Sequence, residues 1–133
     1  MIVVDTNVIA YLMIEGEKTE QAQRTFSRDS NWVLPRLWRH EFLNVLATFV
    51  RHGGTEVDEA VTIWQRSLGL FASGERGVDM VSTLRLAAQH NISAYDAQYA
   101  VLAMELGLAY VTEDKQLLKT FPELALSMQS FCE

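Results

Sequence analysis

The chain has 133 residues, with 11 basic against 17 acidic side chains, a formal net charge of −6 and 49% hydrophobic content. These figures describe a single domain over residues 1–133 with a buried core, and they exclude intrinsic disorder, a collagen-like repeat and a disulfide scaffold. Cys132 is the lone cysteine, no apolar run approaches the ~20 residues of a membrane span, and Met1–Asp5 lacks a signal peptide's basic flank, so the expectation is a reducing, cytoplasmic setting without membrane contact.

Ile2-Val3-Val4 is a β-branched run ended by Asp5-Thr6-Asn7, which predicts a buried strand feeding a helix from Val8 to Met13. Glu17–Ser27 is helix-permissive with a thin apolar stripe of Ala22 and Phe26. Trp32–Leu34 reads as a second strand, with Pro35 in the first turn of the following helix. From Leu37 to Val50, Trp38, Phe42, Val45, Leu46 and Phe49 recur at helical steps, and Gly53-Gly54 closes the helix. A second helix over Glu56–Leu70 places Val57, Ala60, Val61, Trp64 and Leu68 on one face, forming an antiparallel hairpin with the first.

A short strand is expected near Arg76–Val78. Asp79 then caps a helix to His90 with Met80, Leu84 and Ala87 inward. Ser93 opens a helix whose inner face carries Ala97, Ala100, Val101 and Met104, stopped at Gly107. Leu108–Val111 is a strand, Lys115–Thr120 a short helix, and Ala125–Phe131 a last edge strand. Strands alternating with helices predict a mainly parallel central sheet between helical layers, an α/β/α sandwich.

Four acids fall at comparable addresses. Asp5 follows the first strand, Glu41 lies about one turn into the helix after the second, Asp96 is in the first turn of the helix opened by Ser93, and Asp114 stands three residues after Val111. Loops leaving the carboxyl ends of parallel strands share one edge, so these side chains converge there. Each also has a local reading: Asp5 or Thr6 as an N-cap, Ser93–Asp96 as a capping box, Asp114 as an acid favoured by the dipole of an adjacent helix start, and Glu41 as a solvated helix residue. Asp96 and Glu41 nevertheless stand among apolar neighbours, where an unpaired carboxylate is costly. Crowded carboxylates call for protonation or a cation, and an oxygen-only donor set suits Mg²⁺ or Mn²⁺. The acidic balance argues against nucleic acid at first sight, yet four of the 17 acids engaged with divalent cations would bring the remainder close to neutral.

In order along the chain, Asp5-Thr6-Asn7-Val8, Glu41-Phe42-Leu43-Asn44-Val45-Leu46, Tyr95-Asp96-Ala97 with the following Gln98–Ala103, and Val111-Thr112-Glu113-Asp114 resemble the successive signatures of a PIN domain. Within it, the chain is most similar to the single-domain VapC-type toxin ribonucleases of bacterial toxin–antitoxin pairs. The resemblance implies a PIN-like fold and a metal-dependent endoribonuclease acting on RNA. Asp5, Glu41, Asp96 and Asp114 would form the catalytic pocket, with Asp5, Asp96 and Asp114 as metal ligands. Thr112 would orient a carboxylate or water, and Thr6 and Asn7 would hold the first Asp loop. Lys115 stands where many relatives have Arg, which keeps the charge but loses bidentate phosphate recognition. Arg36, Arg39 and Lys115 are the expected RNA contacts. The implied partners are a small antitoxin protein and a second copy in a homodimer. The competing reading is a non-catalytic binding module that keeps the acidic pocket for folding or for gripping its antitoxin. A phosphatase of the haloacid dehalogenase type fits poorly, because Asn7 stands where its motif needs a second Asp.

Overall fold

Alternation along two short strands divides the core into halves. In a computed structural model describing residues 1–133, strand β1 (Ile2–Val4) sends Ile2 and Val4 to one face of the sheet and Val3 to the other. Strand β2 (Trp32–Pro35) matches it, with Trp32 and Leu34 beside Ile2 and Val4, and Val33 beside Val3. Because both faces are buried, the strands read as unbroken apolar runs.

The sheet has five strands in the order β3-β2-β1-β4-β5, where β3 is Glu75–Arg76, β4 is Tyr110–Val111 and β5 is Ala125–Leu126. Every pairing is parallel, with Val3 opposite both Val33 and Tyr110. The first face is covered by α1 (Thr6–Met13), α2 (Thr19–Arg28), α3 (Trp38–Arg51), α4 (Val57–Phe71) and α8 (Met128–Cys132). The second is covered by α6 (Ala94–Leu106) and α7 (Lys115–Thr120), with α5 (Met80–His90) packed on α6. This is the expected three-layer α/β/α arrangement, with an entirely parallel sheet. No helix is long and apolar enough to cross a membrane.

The helix starts are set by side chains that satisfy orphan amides. Asp79 accepts from the Val81 and Ser82 amides, Ser93 from the Asp96 amide, and Ser127 from the Ser130 amide. Gly107 ends α6 at φ 66°, a left-handed conformation that glycine adopts without a Cβ clash. Under the first face, Trp32 stacks on Phe71 at 5.3 Å between ring centroids, and Trp38 lies 5.8 Å from Trp64.

Several expectations need correction. Pro35 ends β2 rather than opening a helix; it needs no N–H there and pairs in register with Arg76. The third strand lies at Glu75–Arg76, a step before Arg76–Val78. Only Ala125–Leu126 of the expected last strand is extended: Ser127 caps α8, whose Met128 is buried against the first face. Met80 and Leu84 are 64% and 68% exposed, while Thr83 and Ala87 face inward, because α5 lies on the outside of the fold and is covered mainly by α6. Val57, Val61 and Met104 are likewise exposed.

Candidate metal centre

Parallel topology brings the carboxyl ends of β1, β2 and β4 to one edge: Asp5 follows β1 as the N-cap of α1, Glu41 lies in the first turn of α3 after β2, Asp114 follows β4 as the N-cap of α7, and α6 adds Asp96 from its own first turn. Asp5, Glu41, Asp96 and Asp114 all line one cleft of about 250 Å³, together with Thr6, Asn7, Asn44, Val45 and Tyr99. The cleft abuts a second, smaller one in which Asp96 and Asp114 are joined by Asn91, Ser93 and Gln116. Residues between 5 and 114 thus share a single wall.

Asp5 is the most constrained of the four. It is buried, caps α1 by accepting the Val8 amide on Oδ1 at 3.2 Å, and accepts the Thr112 hydroxyl on Oδ2. Capping and cleft-lining are therefore one role here. Burial pushes its carboxyl up to about 6; the bonds from Thr112 and Val8 oppose that shift, and the charges of Asp96 and Asp114 add to it. Asp96, half-buried, is also raised, first by burial and then by the Asp114 charge. Asp114 is exposed and caps α7, its Oδ1 accepting the Gln116 and Leu117 amides at 2.9 and 3.1 Å.

Thr112 links two of these acids. Its hydroxyl donates to Asp5, and its oxygen accepts the Asp114 amide at 3.1 Å. Thr6 does not close the Asp5 loop as expected: its hydroxyl donates to Glu41 Oε1 at 2.9 Å and lies 2.7 Å from the Tyr99 hydroxyl. Asn7 is exposed on the cleft wall. Tyr99 donates to Glu41 Oε1 at 2.7 Å, and its own acidity is suppressed by burial and then by the Glu41 charge, so it remains a donor.

Tyr99 and Asn44 were not singled out from the sequence. Their signal was spacing: Tyr99 is three residues after Asp96 and Asn44 three after Glu41, on the same helix faces. Of the expected RNA contacts, Arg36 and Lys115 are exposed. Arg39 is committed to Glu75, with Nε–Oε2 at 2.5 Å and Nη2–Oε1 at 2.8 Å. That bidentate pair removes Arg39 from the free phosphate-binding groups.

The donor set fits a hard cation. No group of three His, Cys, Asp or Glu side chains stands close enough together to hold a metal ion by itself. Mg²⁺ does not need one, since it binds through one or two carboxylates and keeps waters or substrate phosphates as its other ligands. A buried carboxyl whose acidity is suppressed partly by neighbouring carboxylates is a place where positive charge is stabilised.

Comparison with known proteins bears on the family and the fold. Ribonuclease VapC3 of Pyrobaculum aerophilum is 32% identical over 127 residues, covering 92% of this chain and 96% of that protein. Two crystal structures share the fold with a TM-score of 0.74 each. PAE2754 from Pyrobaculum aerophilum, 22% identical, is matched over 98% of this chain and 92% of its own, and FitAcB from Neisseria gonorrhoeae, 20% identical, over 97% and 99%. Residues 2–122 match the PIN domain, and with a five-stranded parallel sheet carrying the ordered acid blocks at one edge, the chain belongs to the PIN-domain family.

Proposed function

We propose that this protein is a metal-dependent endoribonuclease, the toxin of a toxin–antitoxin pair, and that Asp5, Glu41, Asp96 and Asp114 are its catalytic residues. The observation that carries the reading is the convergence of these four carboxylates in one cleft, with Asp5 buried and raised partly by its acidic neighbours. The likeness to a protein named as a ribonuclease, at 32% identity over most of both chains, supports RNA as the substrate.

Asp5, Asp96 and Asp114 would hold Mg²⁺ or Mn²⁺, directly or through the waters such an ion keeps. When bound, the cation lowers the pKa of the attacking water and stabilises the leaving oxyanion. Thr112 fixes the Asp5 carboxylate, and Glu41 orients the water. Asn7 and Asn44 line the cleft as neutral hydrogen-bonding groups beside the phosphodiester. Arg36 and Lys115 supply positive charge to flanking phosphates. The antitoxin and a second copy of the chain are its protein partners. The apolar groove between α3 and α4, about 360 Å³ and lined only by apolar side chains such as Leu43, Val57, Val61 and Trp64, supports burial against another chain.

The test is cleavage of a structured RNA with Mg²⁺ or Mn²⁺ by wild type and by Asp5→Asn. Wild-type cleavage abolished by the substitution supports the reading. Equal cleavage by both overturns it, as does cation binding without any cleavage, which would favour the non-catalytic module.

A further inference from the structure

Three oxygens meet in a triangle at the inner wall of the cleft. Thr6 Oγ1 lies 2.9 Å from Glu41 Oε1 and 2.7 Å from the Tyr99 hydroxyl, which in turn lies 2.7 Å from Glu41 Oε1. Resting on the nuclease reading, we propose that Tyr99 is a positioning residue which, together with Thr6, pins Oε1 of Glu41 from the core side and leaves Oε2 to meet a cation or water.

Packing alone does not account for the phenol. The Tyr99 ring is 1% exposed, stacked on Tyr110 at 6.1 Å with 12° between the planes, in the cluster holding Val3 and Leu102. A phenylalanine would fill the same space, and a buried hydroxyl without a partner is a cost. Here the hydroxyl's partners are Thr6 and a carboxylate of the cleft. The ring is packed in the core and the residue is 1% exposed, so where Tyr99 borders the cleft its hydroxyl is engaged with Glu41 and Thr6 rather than offered to solvent.

The arrangement also limits motion. A glutamate has three side-chain rotors, and holding one carboxylate oxygen with two donors removes much of the freedom that would otherwise be lost on binding. The two donors come from α1 and α6 and the acceptor from α3, so the clamp joins helices from both layers at the cleft. Glu41 Oε2 accepts no hydrogen bond from the protein. Tyr99 shares its helix face with Asp96, so one turn of α6 carries both a cleft acid and the group that orders another.

The experiment measures Mn²⁺ affinity by calorimetry and RNA cleavage on the full chain, for wild type, Tyr99→Phe, Glu41→Gln and the double variant. Tyr99→Phe should lower kcat about tenfold with KM nearly unchanged and weaken Mn²⁺ binding several-fold, as loss of a group supporting a ligand does. On the Glu41→Gln background the same substitution should cost nothing further, because it acts through that carboxylate. Thr6→Val removes the other donor and should show the same dependence on Glu41, whatever Tyr99→Phe does to packing. Losses that multiply in the double variant, or a wild-type-like Tyr99→Phe, overturn the proposal. If wild type binds Mn²⁺ without cutting RNA, the nuclease reading falls, and the Mn²⁺ cycle alone decides Tyr99: coupling supports the clamp and additivity overturns it. If wild type binds no Mn²⁺, both fall.

Discussion

The Thr112 hydroxyl donates to Asp5 Oδ2 across 107 positions of sequence, and its oxygen accepts the Asp114 amide, so one side chain ties the ends of the neighbouring strands β1 and β4 together. A threonine suits this place twice over. Its β-branch is at home at the end of a buried strand, and its hydroxyl can donate and accept at once. Thr112→Val keeps the shape and removes both functions. The variant should lose about 1–3 kcal/mol of stability, because Asp5 and the Asp114 amide lose a buried partner. Its Mn²⁺ affinity should fall about 10–100-fold, as expected when a ligand's supporting group is removed. Chemical denaturation and calorimetry check the two effects separately.

Asp5 sets a pH dependence of known sign. Its carboxyl is raised from 3.8 to about 6 in the folded chain, so between those values the folded state holds a proton that the unfolded state has released. The stability contributed by the protonated group is therefore fully present below 3.8 and lost as pH rises through about 6, amounting to about 3 kcal/mol. Without cations, Asp5→Asn should be more stable than wild type at pH 7.5, and the difference should vanish towards pH 4. Melting curves of the two proteins across that range test the prediction. A difference that stays constant with pH would show that Asp5 is not the titrating group.

The same proton competes with a cation. Mn²⁺ should raise the melting temperature of wild type strongly at pH 7.5 and little at pH 5, because Asp5 must release its proton to become a ligand. Asp5→Asn should show a much smaller Mn²⁺ effect at either pH. Thermal scans with and without Mn²⁺ at the two pH values measure this directly, and equal shifts at both would place the cation elsewhere.

What the sequence made legible was local and periodic. The run Ile2–Val4 ending at Asp5, the cap at Ser93 and the stop at Gly107 all carry their cause within a few residues, and the structure has them where the chain implies. The acid blocks followed from topology: once the strands were parallel, their carboxyl ends shared an edge. Apolar spacing, in contrast, does not show whether a neighbour exists to cover a face. Met80 and Leu84 have helical spacing but lie on the outer side of α5, while Thr83 takes the buried position. Ala125–Phe131 is apolar enough for a strand, but Ser127 offers its hydroxyl to the Ser130 amide and starts a helix there. Long-range polar pairs leave no periodic trace, so neither the Tyr99–Glu41 bond nor the Arg39–Glu75 pair could be read from spacing.

Gly74 is required by a close approach of backbones. A Cβ built there would lie 2.0 Å from the Trp32 carbonyl oxygen, and the obstacle is β2 itself rather than a flexible side chain. Gly74 sits at the end of the short 3-10 turn over Ala72–Gly74 that delivers the chain into β3. Gly74→Ala must therefore push β3 away from β2, at a cost of about 1–3 kcal/mol or more. Denaturant unfolding reads the loss. Gly69→Ala, inside α4 where a Cβ meets nothing within 4 Å, serves as the control and should be no less stable than wild type, gaining up to about 1 kcal/mol because glycine is unfavourable within a helix.

Glu75 anchors the first turn of α3 from the edge strand, and its removal tests how much that anchor contributes to the fold. Its carboxylate accepts the Trp38 indole N–H at 2.7 Å and the Arg39 guanidinium in bidentate fashion, and the Arg39 hydrogen bonds hold it below the usual carboxylate range. Trp38 is wholly buried, so Glu75→Ala would leave an indole donor with no partner as well as a freed cation. The expected loss is about 2–4 kcal/mol, and it should grow as pH rises from 3 to 6, because a carboxylate of lowered pKa contributes its stability only when ionised. Glu41 lies two to three residues beyond Trp38 and Arg39 on α3 and shares their helix turn. Glu75→Gln keeps an acceptor for the indole but loses the charge, so it should recover part of the stability at pH 7 and show a flatter pH profile. Equal stability of Glu75→Ala, Glu75→Gln and wild type at neutral pH would show that this anchor contributes nothing to the fold.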